Sequence, residues 1–205
     1  MRLIKPSEFT PEWLDPVSFF SDTKKLAGHE IELRSHQSSR AKLFSYLSAQ
    51  VEDKQFSAMT LVSFIDRREG ASYGDILLAC WYALMNANKS VLVLTPTSES
   101  AKHWASEAYA VFEKLGLCYV VNRKNSTEIS LDNGTTMFFR KGTSRAVRGM
   151  SISLCVIIDI EAWSIVDQAE TLGFTYSKLS LISGYEVYYV ENLPHILLDF
   201  KKQPA

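Results

Sequence analysis

An α/β fold with a mostly parallel central sheet is the class this sequence predicts, and three observations carry it. Two continuous apolar runs, Ser90–Thr95 (SVLVLT) and Leu154–Ile158 (LCVII), have the composition of strands buried on both faces. Helix-prone segments alternate with strand-like ones, the pattern of helices packed on a parallel sheet. Asp132-Asn133-Gly134 stands between two short β-rich stretches, a strong hairpin signal.

The elements follow in order. The first 28 residues carry Pro6, Pro11 and Pro16 and read as an irregular lead-in with a short helix near Pro16–Leu26. From His36 to Val51, apolar Leu43, Phe44, Leu47 and Val51 recur at helical spacing. Ala58–Asp66 is β-rich and runs into a charged, glycine-containing turn over Asp66–Gly74. Asp75–Asn86 is apolar and helix-prone, and Asn86–Lys89 ends it. After the Ser90–Thr95 strand, Ser98–Leu115 reads as a helix with Ser98 as N-cap and Gly116 as stop. Leu117–Val121 is a short strand, and Glu128–Leu131 and Thr135–Phe139 flank the hairpin turn. Lys178–Ile182 and Glu186–Val190 are further strand candidates, and the tail to Ala205 has room for one strand and a short helix. Ligands of such sheets sit at the carboxyl ends of the strands. The turns Asp66–Gly74 and Asp159–Trp163 both follow such ends.

Composition narrows the function. With 22 Lys+Arg, 23 Asp+Glu and 46% hydrophobic residues, the chain has ordinary globular values. Its longest apolar run, Ile76–Met85, has ten residues, and a bilayer needs about 20, so no membrane role is expected. The first residues lack the apolar stretch of a signal peptide. The three cysteines Cys80, Cys118 and Cys155 are widely spaced, which argues against a disulfide framework or zinc site and for a reducing interior. The histidines show no metal-ligand spacing, and Trp81, Trp104 and Trp163 read as core aromatics. Charge is uneven. Residues 122–148 hold six bases, among them Arg140, Lys141, Arg145 and Arg148, against two acids, whereas residues 149–205 hold three bases and seven acids. The basic strip is either a solvated surface loop or a surface for a phosphate backbone.

Six pieces then recur in a telling order. IELRSHQ (Ile31–Gln37) precedes a helix, and DRREGASYGD (Asp66–Asp75) lies between a strand and an apolar helix. Val91–Gly116 is a strand, a TPT turn and a helix, and Thr127–Leu154 joins the DNG hairpin to AVRG. CVIIDIEAW (Cys155–Trp163) is an apolar strand ending in acids, and KLSLISG (Lys178–Gly184) is a strand ending in small polar residues. Together they resemble the ATPase domain of large terminases, the genome-packaging motors of tailed phages, and in particular the T-even-type branch. The Walker A and Walker B motifs are degenerate, and the likeness covers about three-quarters of the chain.

That resemblance implies a three-layer P-loop NTPase-like fold of the ASCE/RecA type, with a β-hairpin. It implies an ATPase-like domain over 29–205 behind the lead-in 1–28, with no room for the nuclease domain of the family. It places Gln37 at an adenine edge, where an amide donates and accepts at once. The family's S-R-Q-x-G-K-T-T, matched on Arg67 and Gly70, puts Ala71 at the lysine and Ser72 at the magnesium-binding hydroxyl. Arg67 falls at an arginine proposed to act on the γ-phosphate, with Arg68 beside it. Asp159 stands at the Walker B aspartate that holds magnesium, but Ile160 occupies the place of the water-activating glutamate and Glu161 comes one residue later. In an extended chain, that displacement turns the carboxylate to the other face. Ser183 matches the coupling motif.

ATP and magnesium are the cofactors the resemblance implies. The implied partners are double-stranded DNA along Arg140, Lys141, Arg145 and Arg148, the portal or other packaging proteins, and further copies of the chain; the implied location is the host cytoplasm. Loss of the lysine costs several kcal/mol of transition-state stabilisation, and loss of the base about 10²–10⁴-fold in rate. The leading expectation is therefore a pseudo-ATPase with a binding or regulatory role. The alternatives are an active packaging motor that uses Arg67 or Arg68 with Glu161, and a non-motor nucleic-acid-binding module.

Overall fold

The structure, a computed structural model, describes residues 14–26, 37–39, 41–45, 56–64, 71–114, 119–121, 126–147, 149–159, 162–164, 166–167, 184–188 and 196–202. Its strands are β1 Phe56–Phe64, β2 Ser90–Thr95, β3 Tyr119–Val121, β4 Glu128–Leu131, β5 Thr136–Lys141, β6 Leu154–Ile157, β7 Gly184–Tyr188 and β8 Ile196–Lys202. They form one sheet in the order β3-β4-β5-β2-β6-β7-β1-β8. The five strands from β5 to β1 run parallel. Antiparallel β4 and β3 extend one edge, and antiparallel β8 pairs with β1 at the other. The helices are α1 Pro16–Leu26, α2 Ala71–Met85, α3 Ser98–Lys114 and α4 Ser144–Val147; residues 37–39 and 41–45 are helical as well.

The apolar runs behave as two-faced strands. Along β2, Val91 and Val93 enter one core with Leu154, Val156, Met137 and Phe139, while Leu92 and Leu94 face the other side with Cys155 and Ile157. The first face is covered by α1, α2 and α3. Phe19 and Phe20 of α1 are fully buried in that core, so the helix of the lead-in packs as part of it. Phe44 adds edge-to-face contacts with Trp81 and Tyr82 of α2, at 6.3 and 6.2 Å between ring centres. The second face is covered, among the described residues, by Ala146 of α4, Ile152 and Trp163.

Caps fix the helix ends. Asp15 accepts from the amides of Val17 and Ser18 at 3.3 and 3.1 Å, with Pro16 as the first helical residue of α1. At α3 the cap is Thr97 rather than Ser98: its hydroxyl accepts from Ser100 N at 3.0 Å and its carbonyl from Ala101 N at 3.1 Å. The expected hairpin forms, with Gly134 at φ 81° and Gly134 N donating to Leu131 O at 3.0 Å.

Three expectations change. The turn placed over Asp66–Gly74 gives way to helix from Ala71, and Gly74 lies inside α2. The tail, given room for one strand and a short helix, forms strand β8 over Ile196–Lys202. A short apolar run such as ILLDF is ambiguous by periodicity, and antiparallel pairing to β1 decides it. The strand between β1 and β6 is Gly184–Tyr188. The proposed strand Lys178–Ile182 and Ser183 lie outside the described residues.

Five parallel strands put Lys141, Thr95, Ile157, Tyr188 and Phe64 at their carboxyl ends on one rim. One strand separates β1 from β6, so their ends lie about 10 Å apart. The chain after β1 re-enters the described structure at Ala71, the start of α2, and the chain after β6 reaches Asp159.

Candidate functional site

Helix α2 presents its amino terminus, the positive end of its dipole, at this rim. Ser72 is its second residue. Asp159 stands two residues beyond β6, and the Ser72 hydroxyl donates to Asp159 Oδ1 at 3.2 Å. Two residues 87 positions apart thus meet, the same two to which the resemblance gives a magnesium-binding hydroxyl and a Walker B aspartate. One hydroxyl and one carboxylate are hard oxygen donors and suit magnesium. The lysine position does not fit in the same way: the first residue of α2 is Ala71, which brings no charge.

Gln37 is 7% exposed, and its amide nitrogen lies 3.8 Å from the point a Cβ on Gly74 would occupy. The proposed adenine-edge glutamine is therefore packed against the first turns of α2, on the element that carries Ser72. Asp75, the next residue of α2, is fully buried. Tyr73 packs against the apolar core. Burial, followed by the influence of Cys80 and Glu107, raises its hydroxyl above the ordinary tyrosine range.

The backbone at Asp159 departs from expectation. It is left-handed, with φ 50°, and Ala162 N donates to Asp159 O at 2.9 Å, closing a turn. The chain is not extended there, so strict alternation of side chains stops at Asp159. Asp is one of the few non-glycine residues that adopt this region readily. Trp163 donates from Nε1 to Ile158 O at 3.2 Å. Its ring covers Gly142, where a Cβ would come within 2.1 Å of it. Trp163 is buried, as expected of a core aromatic. Its contact with Gly142 had no signal in the sequence beyond a glycine after a basic pair.

The basic strip divides by role. Arg140 donates to Ala146 O at 3.2 Å, lies 4.0 Å from Glu128 and sits 5.3 Å over the Phe138 ring. It therefore ties β5 to α4 and β4. Lys141 and Arg145 are exposed, with Lys141 at the end of β5 on the rim. Arg67, Arg68, Gly70, Glu161 and Arg148 lie outside the described residues. Among the described residues no three His, Cys, Asp or Glu side chains group as metal ligands, and no helix is long and apolar enough to cross a membrane.

No protein-family model and no curated protein sequence matches the chain. Solved structures do. The large terminase of bacteriophage HK97 aligns at TM-score 0.59 and 12% identity, over 87% of this chain and 38% of that one. The large terminase of a thermophilic bacteriophage aligns at 0.54 and 9%, over 77% of this chain and 39% of that one. The large terminase ATPase domain of a Thermus phage aligns at 0.49 and 10%, over 80% and 67%. This chain spans about two-fifths of the length of the first two. With a mostly parallel α/β sheet and β7 between β1 and β6, the chain shares its fold with the phage large terminases of known structure.

Proposed function

We propose that this chain is a terminase-like protein of viral DNA packaging that binds nucleotide without turning it over. It acts in the host cytoplasm through binding to double-stranded DNA and to packaging components. One observation supports the reading: the Ser72 hydroxyl donates to Asp159 at 3.2 Å, at the two positions the resemblance gives to magnesium, beside a helix that opens on Ala71.

The division of labour follows from chemistry. The α2 amino terminus offers backbone N–H groups to an anion. Asp159 and Ser72 would hold magnesium, which neutralises phosphate charge when bound. Gln37 stands on the same helix turns for a base edge. Ala71 cannot clamp a transferring phosphoryl group, and Ile160 cannot take a proton from water. Binding terms survive and transition-state terms do not, so affinity persists without rate.

The test is to incubate the protein with magnesium and ATP and follow both bound nucleotide and released phosphate. The expected result is ATP bound and recovered intact, with binding lost in Ser72→Ala and Asp159→Asn. Phosphate release that disappears in Asp159→Ala supports the active-motor reading instead, and absence of binding removes the nucleotide site.

A further inference from the structure

Asp159 is useful to a cation only if its carboxylate is held toward Ser72, and its left-handed backbone, which Asp tolerates, sets that direction only where its surroundings fix it. The structure shows what holds it. The residue before Asp159 is fixed at both ends: Ile158 N donates to Leu94 O at 2.9 Å, and Ile158 O accepts from Trp163 Nε1 at 3.2 Å. The peptide after it is fixed by Ala162 N on Asp159 O at 2.9 Å. The indole is seated in turn. Its ring lies on Gly142, in space that any Cβ would fill, and Gly142 N donates to Thr95 O at 2.8 Å. A brace therefore runs from the ends of β2 and β5, through the indole, to the peptide before Asp159, while Ala162 N, next in the chain to Trp163, holds the peptide after it.

We propose that Trp163 is a positioning residue for Asp159. It fixes the left-handed turn through Ile158 O and Gly142, and so tunes the hold of the Ser72–Asp159 pair on a divalent cation. This rests on the reading of that pair as the magnesium end of a nucleotide site. Groups that orient a ligating carboxylate without touching the metal commonly govern metal affinity about 10–100-fold.

The experiment measures ADP affinity with magnesium and with EDTA, together with urea unfolding, in wild type, Trp163→Phe, Gly142→Ala and the control Trp104→Phe. Trp163→Phe keeps a ring but loses the N–H donor; Gly142→Ala keeps the donor but displaces the ring. In both, the ratio of the two affinities is expected to fall about tenfold, with magnesium-free affinity kept, while Trp104→Phe leaves the ratio as in wild type. A purely structural role would lower stability and leave the ratio unchanged. An unchanged ratio in folded Trp163→Phe and Gly142→Ala overturns the proposal. A wild type whose ADP binding ignores magnesium overturns the nucleotide-site reading itself, and this proposal with it.

Discussion

At Asn133 one side-chain amide reaches the carbonyls of Ala83, Leu84 and Asn86, at 2.8, 3.2 and 3.4 Å, and so caps the end of α2 from the hairpin turn. Its carbonyl oxygen accepts from Thr135 N at 3.0 Å. Asn133→Ala should cost about 1–3 kcal/mol in urea unfolding. Asn133→Asp should cost more, because a carboxylate cannot donate and adds negative charge at a helix carboxyl end. Gly134 is bound to the same place: at φ 81°, a Cβ would stand 2.3 Å from Asn88 Oδ1, so Gly134→Ala should destabilise by at least about 1 kcal/mol. The D-N-G signal was legible as a turn, but its hold on α2 was not, since that contact spans about 50 residues. Cys80 and Cys155 are fully buried, and burial pushes the Cys80 thiol far up. Mass spectrometry after thiol alkylation should find both unmodified in the native protein and modified in urea. Cys80 also sets a pH trend. Its stabilising contribution is whole below its ordinary value of 9.0 and declines as pH rises above it, because the unfolded thiol then ionises while the native one stays neutral.

Among the elements, those with long or chemically marked sequences were readable. The buried runs SVLVLT and LCVI became adjacent parallel strands, and the amphipathic pattern after Thr97 became α3. Thr97→Ala should cost about 1 kcal/mol, whereas Ser98→Ala should be nearly silent, since the capping bonds belong to Thr97. Thermal or urea unfolding of the two variants separates them. What the sequence hid was tertiary choice. β8 is a strand because β1 offers it an edge, and α2 extends back to Ala71 through residues that read as a turn. Local propensity settles neither case.

For the whole molecule, the sheet order brings Ser72 and Asp159 together, with β7 between the strands that lead to them. The residue types at these positions were legible through their motifs, but the contact depends on the fold. The same rim carries exposed Lys141, with Arg145 exposed on α4, while Arg140 serves the scaffold. The proposed binding to duplex DNA should therefore be salt-steep. Lys141→Ala and Arg145→Ala should each reduce the slope of log affinity on log salt by about 0.9 per lost phosphate contact, as read by fluorescence anisotropy. Arg140→Ala should instead lower stability. The proposed nucleotide binding without turnover is tested most directly by restoring a lysine and a glutamate at the two motif positions. Phosphate release from ATP should be measured in single-turnover conditions for wild type, for Ala71→Lys/Ile160→Glu, and for each with Asp159→Ala. A silent wild type and an Asp159-dependent release in the double variant are expected; Asp159-dependent release by the wild type itself would contradict the proposed function.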